Sequence, residues 1–313
     1  MKTTILHAMA IGFLLAGSGY ACADSAWHDI AAGDASKTLD EAWPLAADGS
    51  AVIANISGKV EVTGWDQAQV KLEGTLGAGS TLAVSGDAKK LSLQVKTTKS
   101  GWFGSNAPSH DSTLILHVPK NAALDLSVVS ADANVDGMDG KSLKVGSVSG
   151  DVTIAGSALQ IDIDSVSGNV TLVAPADANG RAHVQTVSGD IHAKNLGGRI
   201  KLETVSGNMD CACATVNEFE SGSVSGDADI AVAPANDARL HLSTMSGSVT
   251  LHLPATLSAR IDASSFSGGI RSDFGTVQTK EYGPGSSLKA TLGAGSAQIG
   301  IESMSGDIQL RKQ

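Results

Sequence analysis

Ser147-Val148-Ser149-Gly150-Asp151 decides the fold, because the chain keeps returning to it. It comes back as Ser165-Val166-Ser167-Gly168-Asn169, Thr186-Val187-Ser188-Gly189-Asp190, Thr204-Val205-Ser206-Gly207-Asn208 and Ser223-Val224-Ser225-Gly226-Asp227. A looser copy, Thr244-Met245-Ser246-Gly247-Ser248, follows. The motif serines step by 18, 21, 18, 19 and 21 residues. Repeats of this period mark stacked units, none of which buries its apolar face alone.

Both flanks of the motif alternate. Before it stand Leu143 and Val145, Ile161 and Ile163, Ala182 and Val184, Ile200 and Leu202, Leu240 and Leu242. After it stand Val152 and Ile154, Val170 and Leu172, Ile191 and Ala193, Ala228 and Ile230, Val249 and Leu251. A period of two means strands with one buried face, so Lys144, Asp162, His183, Lys201 and His241 belong outside. Between the flanks, Gly takes positive φ at little cost, and Asp or Asn tolerates the left-handed region and bonds nearby backbone.

Strand–turn–strand is usually a hairpin, but the repeat argues for coils. A period of about 20 residues suits one coil of a parallel β-solenoid, each strand pairing with its equivalent one repeat along at roughly 4.8 Å. Parallel crossovers are overwhelmingly right-handed. The expected fold is therefore all-β: a single-stranded right-handed parallel β-helix of about twelve to fourteen coils. Val148, Val166 and Val187 are expected in one internal file. Gly150, Asp151, Gly168, Asn169, Gly189, Asp190, Gly207, Asn208, Gly226 and Asp227 form a turn ladder in which charged and neutral side chains alternate. Skipping a coil separates carboxylates by about 9.6 Å, near one Debye length.

Residues 1–23 read as a signal peptide. Lys2 starts it, Ile5 to Ala16 is the apolar run, and Ala21-Cys22-Ala23 is the cleavage site. Lipid on Cys22 is the weaker alternative, since a lipobox expects Leu where Gly19 stands. Cleavage near Ala23 implies export to the periplasm or cell surface, with no transmembrane segment in the mature chain. Residues 24–50 form a lead-in and cap, with a short helix expected over Ser36 to Trp43. Residues 51–313 form the solenoid, broken by a loop at 97–112 and an irregular coil at 274–295.

The opening Ile56-Ser57-Gly58-Lys59-Val60-Glu61-Val62-Thr63-Gly64-Trp65-Asp66, the strand Leu116-His117-Val118-Pro119 and the serial Val-Ser-Gly-Asp coils carry a resemblance. Over roughly Ser50 to Gln313 the chain resembles the bacterial putative-adhesin family, of unknown function and allied to the head GIN-domain β-helix proteins. The resemblance implies a β-helix and supplies no catalytic or binding residues.

The formal net charge of −10 argues against nucleic acid as a partner. No nucleophile elbow, phosphate loop or zinc motif occurs, and His28, His110, His117, His183, His192, His241 and His252 lack metal-ligand spacing. No cofactor is implied. Cys211 and Cys213 share the inward parity, so they are two buried thiols or a disulfide between i and i+2. Trp102 and Phe103 sit in a polar, Gly-rich loop that could hold a partner or fold back on the wall. The leading expectation is an exported non-catalytic envelope protein that presents an adhesive or scaffolding surface to protein or glycan. The alternatives are a carbohydrate-active enzyme, using outward Lys144, Asp162, Asp164, Lys201 and Glu203, and an accessory of an envelope stress or membrane complex.

Overall fold

Alternating sequence becomes strand after strand in a computed structural model of the chain, which describes residues 28–97, 111–175, 177, 179–279 and 285–313. Every regular element among them is a β-strand, from Ile30–Ala31 to Ile308–Lys312. The signal segment with Cys22, the loop residues Trp102 and Phe103, and His110 lie outside the described residues.

The repeats stack in parallel register. Gln160–Ser167 lies between Ser142–Ser149 and Arg181–Ser188, with Ile161 opposite Leu143 and Ala182. Gly198–Ser206 continues this upstream wall, and the second halves of Met209–Ser225 and Ala228–Ser246 extend it. The strands after each motif make a downstream wall through Val152–Gly156, Val170–Val173, Ile191–Lys194 and the first half of Met209–Ser225. The core lies between the walls, in columns such as Leu143, Ile161, Ala182, Ile200, Phe219 and Leu240. Burying one such aliphatic side chain contributes about 1.5–3 kcal/mol. Phe219 is accommodated beside the small Ser221, whose hydroxyl lies 3.7 Å from Met209 Sδ.

The motif corner is backbone against backbone. Gly168 holds φ +134°, and a Cβ there would collide with the carbonyl oxygen of Gly150 in the coil below. Asp and Asn then tie coil to coil. Asp151 Oδ1 accepts from Asn169 N at 2.8 Å, Asn169 Oδ1 from Asp190 N at 3.1 Å, and Asp190 Oδ1 from Asn208 N at 2.7 Å. Asn208 Oδ1 takes Asp227 N at 3.1 Å, and Asp227 Oδ1 takes Ser248 N at 2.8 Å. The carboxylate bonds are the shorter ones, as charge assistance requires. Asp132 bonds Asp151 N at 3.0 Å, so two acids are consecutive at the start of this row.

The motif valines are not an internal file. With Leu143 and Val145 inward, parity turns Ser147 inward and Val148 out. Ser147, Ser165, Thr186 and Thr204 are buried, while Val148, Val166 and Val187 are half-exposed on the corner. The buried oxygens of Ser165, Thr186, Thr204, Ser223 and Thr244 have no hydrogen-bond partner among the described residues.

Both ends depart from coil-after-coil stacking. Ser50–Trp65 pairs with Ala123–Met138 on one side and with Lys90–Thr97 and Ser112–Pro119 on the other. Gln69–Leu76 runs antiparallel to Ser112–Pro119 and to Lys37–Pro44. The helix expected over Ser36 to Trp43 is thus a strand, because pairing with Gln69–Leu76 overrides local helix preference. At the other end Ala297–Ser303 is inserted between Ala228–Ser246 and Ala259–Ser265. Ser286–Leu292 then covers Ala259–Ser265 in antiparallel fashion. Among the described residues twelve to fourteen coils are not reached, since Lys37–Pro44, Gln69–Leu76 and Ser286–Leu292 go into antiparallel strands at the ends.

Candidate functional site

Outward residues of the upstream wall stack in rows, because equivalent positions of successive repeats lie side by side. One row reads Lys144, Asp162, His183, Lys201, Glu220 and His241. A second, two residues along each strand from it, holds Gln160, Arg181, Arg199, Glu218 and Arg239. A third holds Asp164, Gln185 and Glu203. Between the first two rows lies an open cleft of about 390 Å³, lined mainly by Asp162, Arg181, His183, Arg199, Lys201 and Glu220.

The charges in the first and third rows compensate one another. His183 Nε2 lies 3.4 Å from Glu203 Oε2. Lys201 Nζ lies 3.2 Å from the same oxygen and 3.8 Å from Glu220 Oε1. The hydrogen bond to Glu203 raises the His183 pKa above 6.5, against partial desolvation. The same bond lowers the Glu203 carboxyl below 4.5, with Lys201 adding to it. Glu203 is therefore a carboxylate favoured in its ionised form, paired with Lys201 and hydrogen-bonded to His183. Gln160 Nε2 donates to Asp162 Oδ2 at 2.8 Å.

Of the outward residues singled out from sequence, Asp162 and Lys201 face the cleft, with Glu203 bonded to its residues. Lys144 and Asp164 lie on the same wall but do not line it. Arg181, Arg199, Glu218 and Glu220 were missed. Their signal was present: each stands next to an inward residue of an aligned column. On the downstream wall His252 Nε2 meets Asp229 Oδ1 at 3.0 Å, and His192 Nδ1 lies 3.8 Å from Asp210 Oδ2. His117 stacks on Trp65, ring centroids 5.2 Å apart. Among the described residues no group of three or more His, Cys, Asp or Glu side chains is gathered as metal ligands.

Cys211 and Cys213 are joined as a disulfide, with Cα atoms 5.5 Å apart. The register between Met209–Ser225 and Ala228–Ser246 slips between Ala212 and Thr215, so the pair sits on an irregularity of the ladder. An unbroken strand would hold i and i+2 about 6.6 Å apart, at the edge of disulfide range, and the shortening brings the pair to the commonest disulfide separation. Cys211 is buried in the core, whereas Cys213 is only half-buried against it, not fully inward as its parity implies.

Parallel-stacked coils with a charged outer wall define a solenoid-like β-repeat protein. The chain belongs to the Toastrack DUF4097 family, whose model matches residues 122–199 and 197–311. The serial Ser-Gly-Asp coils that carried the family resemblance fall inside those matches. A search of the curated proteins finds no match. Among solved structures the chain is similar to a putative adhesin from Bacteroides fragilis NCTC 9343, at 13% identity, covering 89% of this chain and 99% of that one, with a TM-score of 0.43. It is also similar to a putative adhesin from Parabacteroides merdae ATCC 43184, at 11% identity over 88% and 96% of the two chains, TM-score 0.38. A third, at 13% identity over 88% and 96% and TM-score 0.30, is described as a putative lipid binding protein from Parabacteroides distasonis ATCC 8503. No helix among the described residues is long and apolar enough to cross a membrane.

Proposed function

We propose that this chain is an exported, non-catalytic protein of the bacterial envelope. Its upstream wall serves as an adhesive or scaffolding surface for protein or glycan. A signal peptide cleaved near Ala23 delivers it, and the repeat region winds as a right-handed coil of about 20 residues per turn. The observation that carries the reading is the cleft of about 390 Å³, built from side chains that successive repeats place side by side on an outer face. Such a surface offers many weak polar contacts in a line, which suits an extended ligand. Trp102 and Phe103 supply a second contact from their loop. An array of envelope glycans and proteins, read for capture and for cleavage together, tests this. Capture without product is the expected result, and product formation overturns the non-catalytic assignment.

A carbohydrate-active enzyme is the second reading, favoured by His183 and Glu203 meeting at 3.4 Å beside the cleft. The effect of that contact on Glu203 weighs against it. A general acid needs a raised carboxyl pKa, and the Glu203 carboxyl is lowered.

A further inference from the structure

Four of the six arginines in the chain, Arg181, Arg199, Arg239 and Arg260, fall on a single row of the upstream wall. Register fixes the order as Gln160, Arg181, Arg199, Glu218, Arg239, Gln298, Arg260. All four arginines are exposed. Two lysines of this wall are neutralised: Lys201 by Glu203 and Glu220, and Lys289 by Asp262. None of the four arginines makes an ion pair within 4.0 Å among the described residues, even with Glu218 beside two of them. In a chain of net charge −10, a straight file of unneutralised guanidinium groups is the exception.

We infer that this row binds an acidic polysaccharide laid along the wall, across successive coils. The inference deepens the proposed binding wall and rests on it. Guanidinium groups present planar, paired donors to carboxylate or sulfate. Arg181 and Arg199 are adjacent, about 4.8 Å apart at the strand spacing, and both face the cleft. Arg199, Arg239 and Arg260 then follow at every second level, about 9.6 Å apart, with Glu218 and Gln298 between them. Cations alternating with neutral or accepting groups match a polymer that carries an anion on every other sugar. Glu218 and Asp162 accept from ring hydroxyls. An extended acidic peptide repeats its same-side groups about every 6.6 Å and falls out of step with the row.

The test uses the full chain and three probes: hyaluronan, with a carboxylate on alternate sugars; dextran, which is neutral; and poly-L-glutamate. Binding is read by calorimetry on the parent, on Arg181→Gln/Arg199→Gln, and on Arg271→Gln/Arg311→Gln, whose arginines lie off the row. All substitutions are on exposed side chains, and melting curves check the fold. Hyaluronan binds the parent and dextran does not. The row variant weakens hyaluronan by about tenfold or more, equivalent to roughly 1.4 kcal/mol, and the off-row variant leaves it unchanged. No hyaluronan binding, equal loss in the two variants, or tighter binding of poly-L-glutamate overturns the assignment. A parent chain that binds no hyaluronan but still captures a neutral glycan or a protein on the array keeps the binding wall and loses only the acidic-glycan reading. A chain that captures none of these loses both.

Discussion

Replacing Gly168 by alanine puts one methyl group where two coils touch. The residue sits at φ +134°, outside the comfort of an L side chain, which costs about 1–2 kcal/mol. The new Cβ also meets the carbonyl oxygen and carbon of Gly150, and relieving that overlap costs about 1–3 kcal/mol. The sum, roughly 2–5 kcal/mol, lowers Tm by roughly 4–10 °C in a chain of this size. Two other glycines separate the contributions. Gly33, at φ +51° with nothing within 4 Å, carries the backbone penalty alone, so Gly33→Ala loses about 1–2 kcal/mol. Gly222 has no strained φ, and its nearest atom would be 3.8 Å away, so Gly222→Ala stays within about 0.5 kcal/mol of the parent. Urea melts and calorimetry on the three variants give the ranking. If Gly168→Ala and Gly222→Ala melt together, the corner is not where coils pack backbone on backbone.

Thr204→Val removes a buried hydroxyl that has no partner among the described residues and keeps the shape, so it stabilises by about 1 kcal/mol in urea melts. His183 carries a raised pKa, so its contribution is full below 6.5 and fades as pH rises through the folded value. Glu203 carries a lowered pKa, so its contribution is present above 4.5 and fades as pH falls through the folded value. The pair is therefore strongest between those two pH values. Glu203→Gln returns the His183 titration, followed by NMR, toward 6.5. Cys211 and Cys213 stay silent to a thiol reagent in denaturant until a reductant is added, whereas full reactivity without reductant would mean two free thiols.

The middle of the fold was legible because one chemical rule repeats there. Alternation located the columns of Leu143, Ile161 and Ile200, and the register places them side by side. The same rule, followed strictly, would have put Ser147 inside; hydrophobicity drew the eye to Val148 instead. The ends were opaque because identical local chemistry has two outcomes. Ser85-Gly86-Asp87 reads like the motif, yet Asp87 Oδ1 turns back to Lys89 N at 2.7 Å and Lys90 N at 2.9 Å and closes an antiparallel hairpin. Asp151 instead reaches Asn169 N in the neighbouring coil. Only two residues follow Asp87 before the next strand, which leaves no chain for a coil. The insertion of Ala297–Ser303 beneath Ala259–Ser265 depends on which strand reaches an open edge, and no residue pattern encodes that. The arginine row was hidden for another reason. Arg181, Arg199, Arg239 and Arg260 are scattered in sequence, and only stacking lines them up.

Parallel stacking in register underlies the wall, the cleft and the arginine file alike. Oxidative cross-linking of His183→Cys with Lys201→Cys tests it directly, because side-by-side positions on neighbouring strands lie within disulfide reach. The folded protein forms that link readily, and His183→Cys with Lys194→Cys, on opposite walls, does not. Linking of 183 to 194 instead of 201 would mean that the motif closes hairpins, and the account would fail.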